Sequence, residues 1–144
     1  SFMIGLFCSE SFTYEGLIKQ FFQKQLGIEP NDIEKVNIKG KMILKLKNGE
    51  VRTASLKEVK KYSCDYCAIC PDFSAELADI SVGGLGLEGW SLTIIRTEKG
   101  DEIFQKAESK GVIKVKNLKD EDKRIIDLLI KMSRRKRKGA AKLN

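Results

Sequence analysis

The stretch Cys64-Asp-Tyr-Cys67-Ala-Ile-Cys70-Pro71-Asp72 constrains this chain more than any other. Three cysteines stand at C-x2-C-x2-C spacing, and Cys8 is the only other cysteine in the sequence. Such spacing can turn several thiolates toward one point, which suits a metal or metal–sulfur centre. Cys8 alone is left to complete a four-thiolate site. The loop would then have to fold back over the start of the chain. Three readings stay open: a cubane [4Fe-4S] cluster, a zinc site, or a redox or merely buried cysteine group. Zinc sites more often pair two C-x2-C knuckles, and a second knuckle is absent.

The iron–sulfur reading has the closest pattern. A bacterial ferredoxin run is C-x2-C-x2-C-x3-C-P; this chain has the first three cysteines with Pro71 directly after the third. The sequence contains no histidine, which removes histidine triads, HExxH zinc chemistry and the commonest proton relay. Four cysteines in 144 residues are too few for a disulfide scaffold, and their clustering suits a reducing, cytoplasmic setting. No apolar run approaches the roughly 18 residues of a membrane span. The opening Ser-Phe-Met-Ile-Gly-Leu-Phe lacks the charged start of a signal peptide.

The net charge of +7 belongs to one end. Lys131, Arg134, Arg135, Lys136, Arg137, Lys138 and Lys142 account for all of it, so residues 1–130 are neutral in sum. A basic tail at 133–144 is therefore set apart from a body at 1–132. With no basic face on the body, nucleic acid is disfavoured as a partner.

Phe2 to Phe7 reads as a short buried strand that delivers Cys8. Domains rarely begin inside such a strand, so upstream sequence is expected. Thr13 can cap a helix whose stripe is Leu17, Ile18, Phe21, Phe22 and Leu26, with Gly27 as its stop. Val36 and Ile38, then Met42, Leu44 and Leu46, alternate as strands. Lys39-Gly40-Lys41 forms a turn, and Asn48-Gly49 closes a hairpin onto a returning strand from Val51. Leu56 to Tyr62 leads into the cysteines. Asp72, Glu76 and Asp79 would share one face of a helix. Gly83, Gly84, Gly86 and Gly89 make a loop able to approach a ligand, although not a G-x-G-x-x-G fingerprint. Trp90 to Arg96 reads as a strand, Thr97 to Gly100 as a turn, Glu102 to Ser109 as a helix and Val112 to Val115 as a brief strand. A long helix from about Leu118 is capped by Asn117, with Asp120, Glu121 and Asp122 in its early turns.

Several of these blocks resemble one family. Ile4-Gly-Leu-Phe-Cys8, the run from Cys67-Ala-Ile-Cys70-Pro-Asp-Phe-Ser-Ala-Glu to Gly84, Gly89-Trp90 and Arg96-Thr97-Glu-Lys-Gly100 are similar to the C-terminal part of the coenzyme F420 hydrogenase/dehydrogenase beta-subunit family. The resemblance implies an oxidoreductase passing electrons between reduced coenzyme F420, FAD and a [4Fe-4S] cluster. It further implies that Cys8, Cys64, Cys67 and Cys70 hold the cluster. Lys39, Gly40, Ser81, Gly83, Gly84, Gly86, Arg96 and Thr97 would border the flavin. The implied partners are the N-terminal half of such a subunit and other electron-transfer subunits of a hydrogenase or dehydrogenase complex. No side chain stands out as a catalytic acid or base.

The expected fold is α/β or α+β: a small mixed sheet with a hairpin, flanking helices and a cysteine-rich cluster loop. The competing reading is a non-enzymatic, zinc-stabilised module that binds protein or nucleic acid.

Overall fold

The computed structural model describes residues 1–119 and 123–141. The chain divides into two compact units, one of Glu10–Cys67 and one of Ser1–Ser9 with Ala68–Asn144.

In the first unit, the Thr13 hydroxyl accepts the Gly16 N–H at 3.0 Å and starts helix α1, Glu15–Gln25. This helix is wound more widely than an α-helix; Leu26 N–H reaches back five residues to the Phe21 carbonyl at 3.0 Å. Wider winding turns successive side chains through a smaller angle, which suits Phe21 and Phe22, neighbours in sequence and both buried. Gly27 ends the helix at φ +65°, a conformation costly for any residue with a Cβ.

Three antiparallel strands follow in spatial order: β2 (Ile33–Ile38), β3 (Lys41–Leu46) and β4 (Val51–Ser55). The alternation read from the sequence holds in β3, whose Met42, Leu44 and Leu46 point into the core while Lys41 and Lys45 stay outside. A short helix α2, Leu56–Val59, closes the unit. Its Ser55 and Glu58 exchange the two hydrogen bonds of a capping box.

The second unit carries a mixed sheet. Strand β1 (Ile4–Leu6) runs parallel to β5 (Ile80–Gly83), with Gly5 beside Ser81, and β5 pairs antiparallel with β6 (Leu92–Ile95). One face packs Leu92 against Phe73 and Leu85, where Phe7 and three residues of helix α4 (Lys123–Ala141), Ile125, Leu129 and Met132, join them. Helix α4 is also fastened at its basic end, where Arg137 pairs with Glu76 and Lys136 donates to the Ser9 carbonyl. Residues 133–141, read as tail, are thus helical and in contact with this unit.

Helix α3, Glu98–Ser109, starts one turn earlier than the sequence suggested, because Thr97 caps it by accepting the Gly100 N–H at 3.0 Å. Gly100 looked like a turn residue. It is there for space, since a Cβ would lie 2.6 Å from the Asp79 carbonyl oxygen. Residues 112–115 form no strand, and residues 116–119 are not helical, so Asn117 does not cap the helix at the expected place. The expected acidic turn, Asp120 to Asp122, lies outside the described residues.

The fold is a small α+β arrangement with flanking helices. Two three-stranded sheets replace the single small mixed sheet expected from the sequence. The cysteine-rich cluster loop is a correction: among the described residues, no group of three or more Cys, His, Asp or Glu is placed to hold a metal.

Candidate functional site

Two of the cysteine thiols are engaged by neighbouring polar groups instead. Cys67 Sγ accepts the Ser11 N–H at 3.2 Å and lies 3.5 Å from the Ser11 hydroxyl. The thiol of Cys70 points to the Asp72 carbonyl at 3.6 Å. The Cys64 N–H is taken by the Ser11 carbonyl at 2.9 Å, so that segment is held by main-chain bonding. Cys64 and Cys67 belong to the unit Glu10–Cys67, whereas Cys8 and Cys70 belong to the other. Among the described residues no such group is placed to hold a metal, so the expected four-thiolate [4Fe-4S] site is not assembled. The C-x2-C-x2-C spacing is real, but spacing constrains only neighbours in sequence. It does not fix where a thiol finds its hydrogen-bond partner.

The segment after Pro71 is a clamp rather than a helix. Both Asp72 carboxylate oxygens accept the Glu76 N–H, at 3.3 and 3.1 Å, and Ala75 adopts φ +52°, uncommon for a residue with a side chain. Fully buried Ser81 donates its hydroxyl to the Ala75 carbonyl at 3.0 Å. Arg96 reaches in from the surface: its Nε donates to the Ser81 hydroxyl at 3.2 Å, and its terminal nitrogen to the Ser74 carbonyl and hydroxyl. The hydroxyls of the buried pair Ser74 and Ser81 are thereby both engaged by partners in the same unit.

Asp79 ties the clamp to the first strand. Its carboxylate accepts the Met3 N–H at 2.8 Å and the Thr97 hydroxyl at 2.7 Å. These two bonds, the Met3 amide first, favour the ionised form and hold its pKa below the ordinary aspartate value. Asp72, Glu76 and Asp79 are consequently not a row on one helix.

The opposite face of the β1–β5–β6 sheet is open. Ile4, Ile80, Val82, Thr93 and Ile95 floor a trough of about 810 Å³, walled by Phe104 of α3 and by the chain from Ile113 to Leu118. Trp90 stands at its side. Among the described residues that line it, Lys114 and Lys116 are the only charged ones. A largely apolar cleft of this size is within the range of small-molecule sites.

The residues expected to border a flavin divide between the two units and do different work. Ser81, Arg96 and Thr97 are committed to the clamp and to the α3 cap. Gly83 is needed for packing, since a Cβ there would lie 2.2 Å from the Phe7 ring. Gly84 and Gly86 have open space where a Cβ would be, Gly86 at φ +87°, and their loop runs on to Leu87 and Gly89 at the rim of the trough. Lys39 and Gly40 form the β2–β3 turn, with Lys39 N–H on the Lys41 carbonyl at 2.9 Å. Thr93 and Phe104 are not singled out as site residues by the sequence, and Trp90 stands out there only as the start of a strand and as part of the resemblance. The period-2 pattern of Ile80, Val82 and of Thr93, Ile95 carried the signal.

Residues 1–121 match the family model that describes the C terminus of the coenzyme F420 hydrogenase/dehydrogenase beta subunit. The chain belongs to this family. It is 42% identical over 137 residues to the coenzyme F420 hydrogenase subunit beta of Methanococcus voltae, covering 94% of this chain and 48% of that protein. It is also 42% identical over 118 residues to the coenzyme F420-dependent sulfite reductase of Methanocaldococcus jannaschii, covering 81% of this chain and 18% of the relative. A chain of the F420-reducing [NiFe] hydrogenase complex from Methanosarcina barkeri superposes with a TM-score of 0.88 at 36% identity, over 99% of this chain and 49% of that one. This family member corresponds to the C-terminal portion of an F420 hydrogenase/dehydrogenase beta subunit, and it spans about half the length of the curated beta subunits it matches. No described helix is long and apolar enough to cross a membrane.

Proposed function

We propose that this chain serves as the C-terminal half of a cytoplasmic F420-linked oxidoreductase subunit, assembled with other electron-transfer subunits, and that its trough receives the flat ring of coenzyme F420. The family match over residues 1–121 is the observation that carries the reading. The apolar lining supports a planar heteroaromatic ligand, with Trp90 available for stacking and Lys114 and Lys116 for an anionic substituent.

Oxidation of the reduced ring passes a hydride, and with it two electrons, to a redox group that the rest of the subunit would supply. The chain's part is to bind the ring, orient it and keep water from one face. The clamp of Arg96, Ser81 and Asp79 positions the strands that floor the trough. The glycine loop from Gly84 to Gly89 allows close approach at the rim.

The test uses a full-length chimera in which this chain replaces the matching half of the Methanococcus voltae beta subunit. Oxidation of reduced F420 is followed by its absorbance, with a viologen dye as acceptor. Trp90→Ala should raise KM for F420 roughly fivefold, the loss expected of about 1 kcal/mol of aromatic stacking, and leave kcat nearly unchanged. An unchanged KM would remove the trough as the F420 site.

A further inference from the structure

Strand β1, whose Ile4 lines the trough, has a free edge. In the order β1–β5–β6, β1 is bonded on one side only. The Met3 carbonyl accepts the Ile80 N–H, and Phe7 N–H donates to the Val82 carbonyl, so residues 3, 5 and 7 face β5. The main-chain groups of Ile4 and Leu6 then face away from it, as strand alternation requires. Their side chains are exposed as well: Ile4 is 62% and Leu6 69% accessible, with Met3 at 51% beside them. An open strand edge carrying exposed aliphatic side chains invites pairing with another segment, and proteins usually blunt such edges. Charged side chains are absent from β1, which is Ile-Gly-Leu.

We infer that the free edge of β1 is the docking site for the remaining half of a family beta subunit, which adds a strand to β1 and roofs the trough. The inference deepens the proposed function and rests on it. The occupant follows from the relatives. The solved chain that superposes on 99% of this one has as much again, since this chain covers 49% of it. The matched model describes the C terminus of the subunit, so the additional half lies N-terminal, on the side of the chain where β1 stands. Strand addition would satisfy the outward amides of Ile4 and Leu6 through main-chain bonds, while the two side chains would be covered by apolar groups of the added half. The site for the flat ring would be complete only in the joined subunit.

Hydrogen exchange separates the possibilities. In this chain alone the amides of Ile4 and Leu6 should exchange near the rate of free peptide. In the full-length chimera they should slow at least a hundredfold, while Gly5, already facing β5, changes much less. Equal rates for Ile4 and Leu6 in the two proteins would overturn the inference. Leu6→Lys in this chain alone provides a second measurement. It should leave the circular dichroism spectrum and melting temperature intact and reduce binding of a hydrophobic dye, because Leu6 is on the outside. If that substitution unfolds the chain, Leu6 belongs to an internal core and the docking edge does not exist. A chimera that oxidises F420 with unprotected Ile4 and Leu6 amides would sink strand addition and spare the proposed function. Protected amides without F420 turnover would do the reverse.

Discussion

The unit Glu10–Cys67 and the unit built on Phe73 solve the same problem in opposite ways. The first is continuous in sequence, and neighbouring elements along the chain bury a core of Phe21, Phe22, Met42, Leu44 and Val59, none more than 2% exposed. The second joins the first nine residues to a segment beginning at Ala68. Its buried apolar cluster is smaller, Phe73, Leu85 and Leu92, and it adds a polar clamp and three glycines at close approach. A core made of local pieces can rely on hydrophobic burial alone. Where distant strands must meet in parallel register, directional hydrogen bonds and missing side chains define how near they come.

The comparison predicts different modes of failure. Phe22→Ala removes a ring from the tight core and should cost about 3–5 kcal/mol, the largest effect expected. Amide exchange should rise in β2, β3 and β4. If β5 and β6 lose protection to the same extent, the two units unfold as one block and the contrast between them disappears.

Gly5→Ala probes the second strategy with one methyl group. The added Cβ would sit 2.2 Å from the Ala75 Cβ and 3.0 Å from that of Ala78. Neither neighbour has a flexible end to move, and Ala75 is already at φ +52°. Destabilisation of about 1–3 kcal/mol is expected from such overpacking, with increased exchange at Gly5 and Ser81. A thermal midpoint equal to that of the parent would show that β1 is held by less than the geometry implies.

The same contrast explains what could be read in the sequence. The β3 alternation, the Asn48-Gly49 hairpin, the Thr13 cap and the Gly27 stop are local signals, and each appears where expected. In the other unit, family resemblance was legible because Cys70-Pro-Asp-Phe-Ser-Ala-Glu is distinctive, yet the resemblance did not say what each side chain bonds to. Asp72 and Asp79 looked like a helical row, but each carboxylate instead captures a backbone amide, one of them 76 positions away in sequence. Arg96 reads as bordering a ligand, and the structure shows two of its nitrogens donating to Ser74 and Ser81. The cysteines illustrate the limit most clearly. Their spacing announced ligand chemistry, but the serine at position 11 and the carbonyl of Asp72 engage two of the thiols, a competition that no spacing rule contains.

The smallest effect should come from acid, and it also divides the units. Asp79 in the stitched unit and Glu58 in the continuous one both have pKa values below the ordinary range, Asp79 through the Met3 amide and then the Thr97 hydroxyl, Glu58 through the Ser55 side chain and then its amide. In an unfolded chain these carboxylates take up protons at a higher pH than in the folded one. Their contribution to stability is therefore fully present above the unfolded values, near 4, and is lost as pH falls through the depressed folded values. Two variants apportion the loss. Asp79→Asn should flatten the acid dependence of exchange at the Met3 amide and along β5, whereas Glu58→Gln should do so only around α2. Glu58 fastens one turn of a four-residue helix that the chain would reach in any case. Asp79 fastens β1 to the start of β5, so neutralising it loosens the register that joins the distant pieces. An acid response at Met3 unchanged by Asp79→Asn would mean that the parallel pairing alone holds β1, and that the clamp is not what distinguishes the two units.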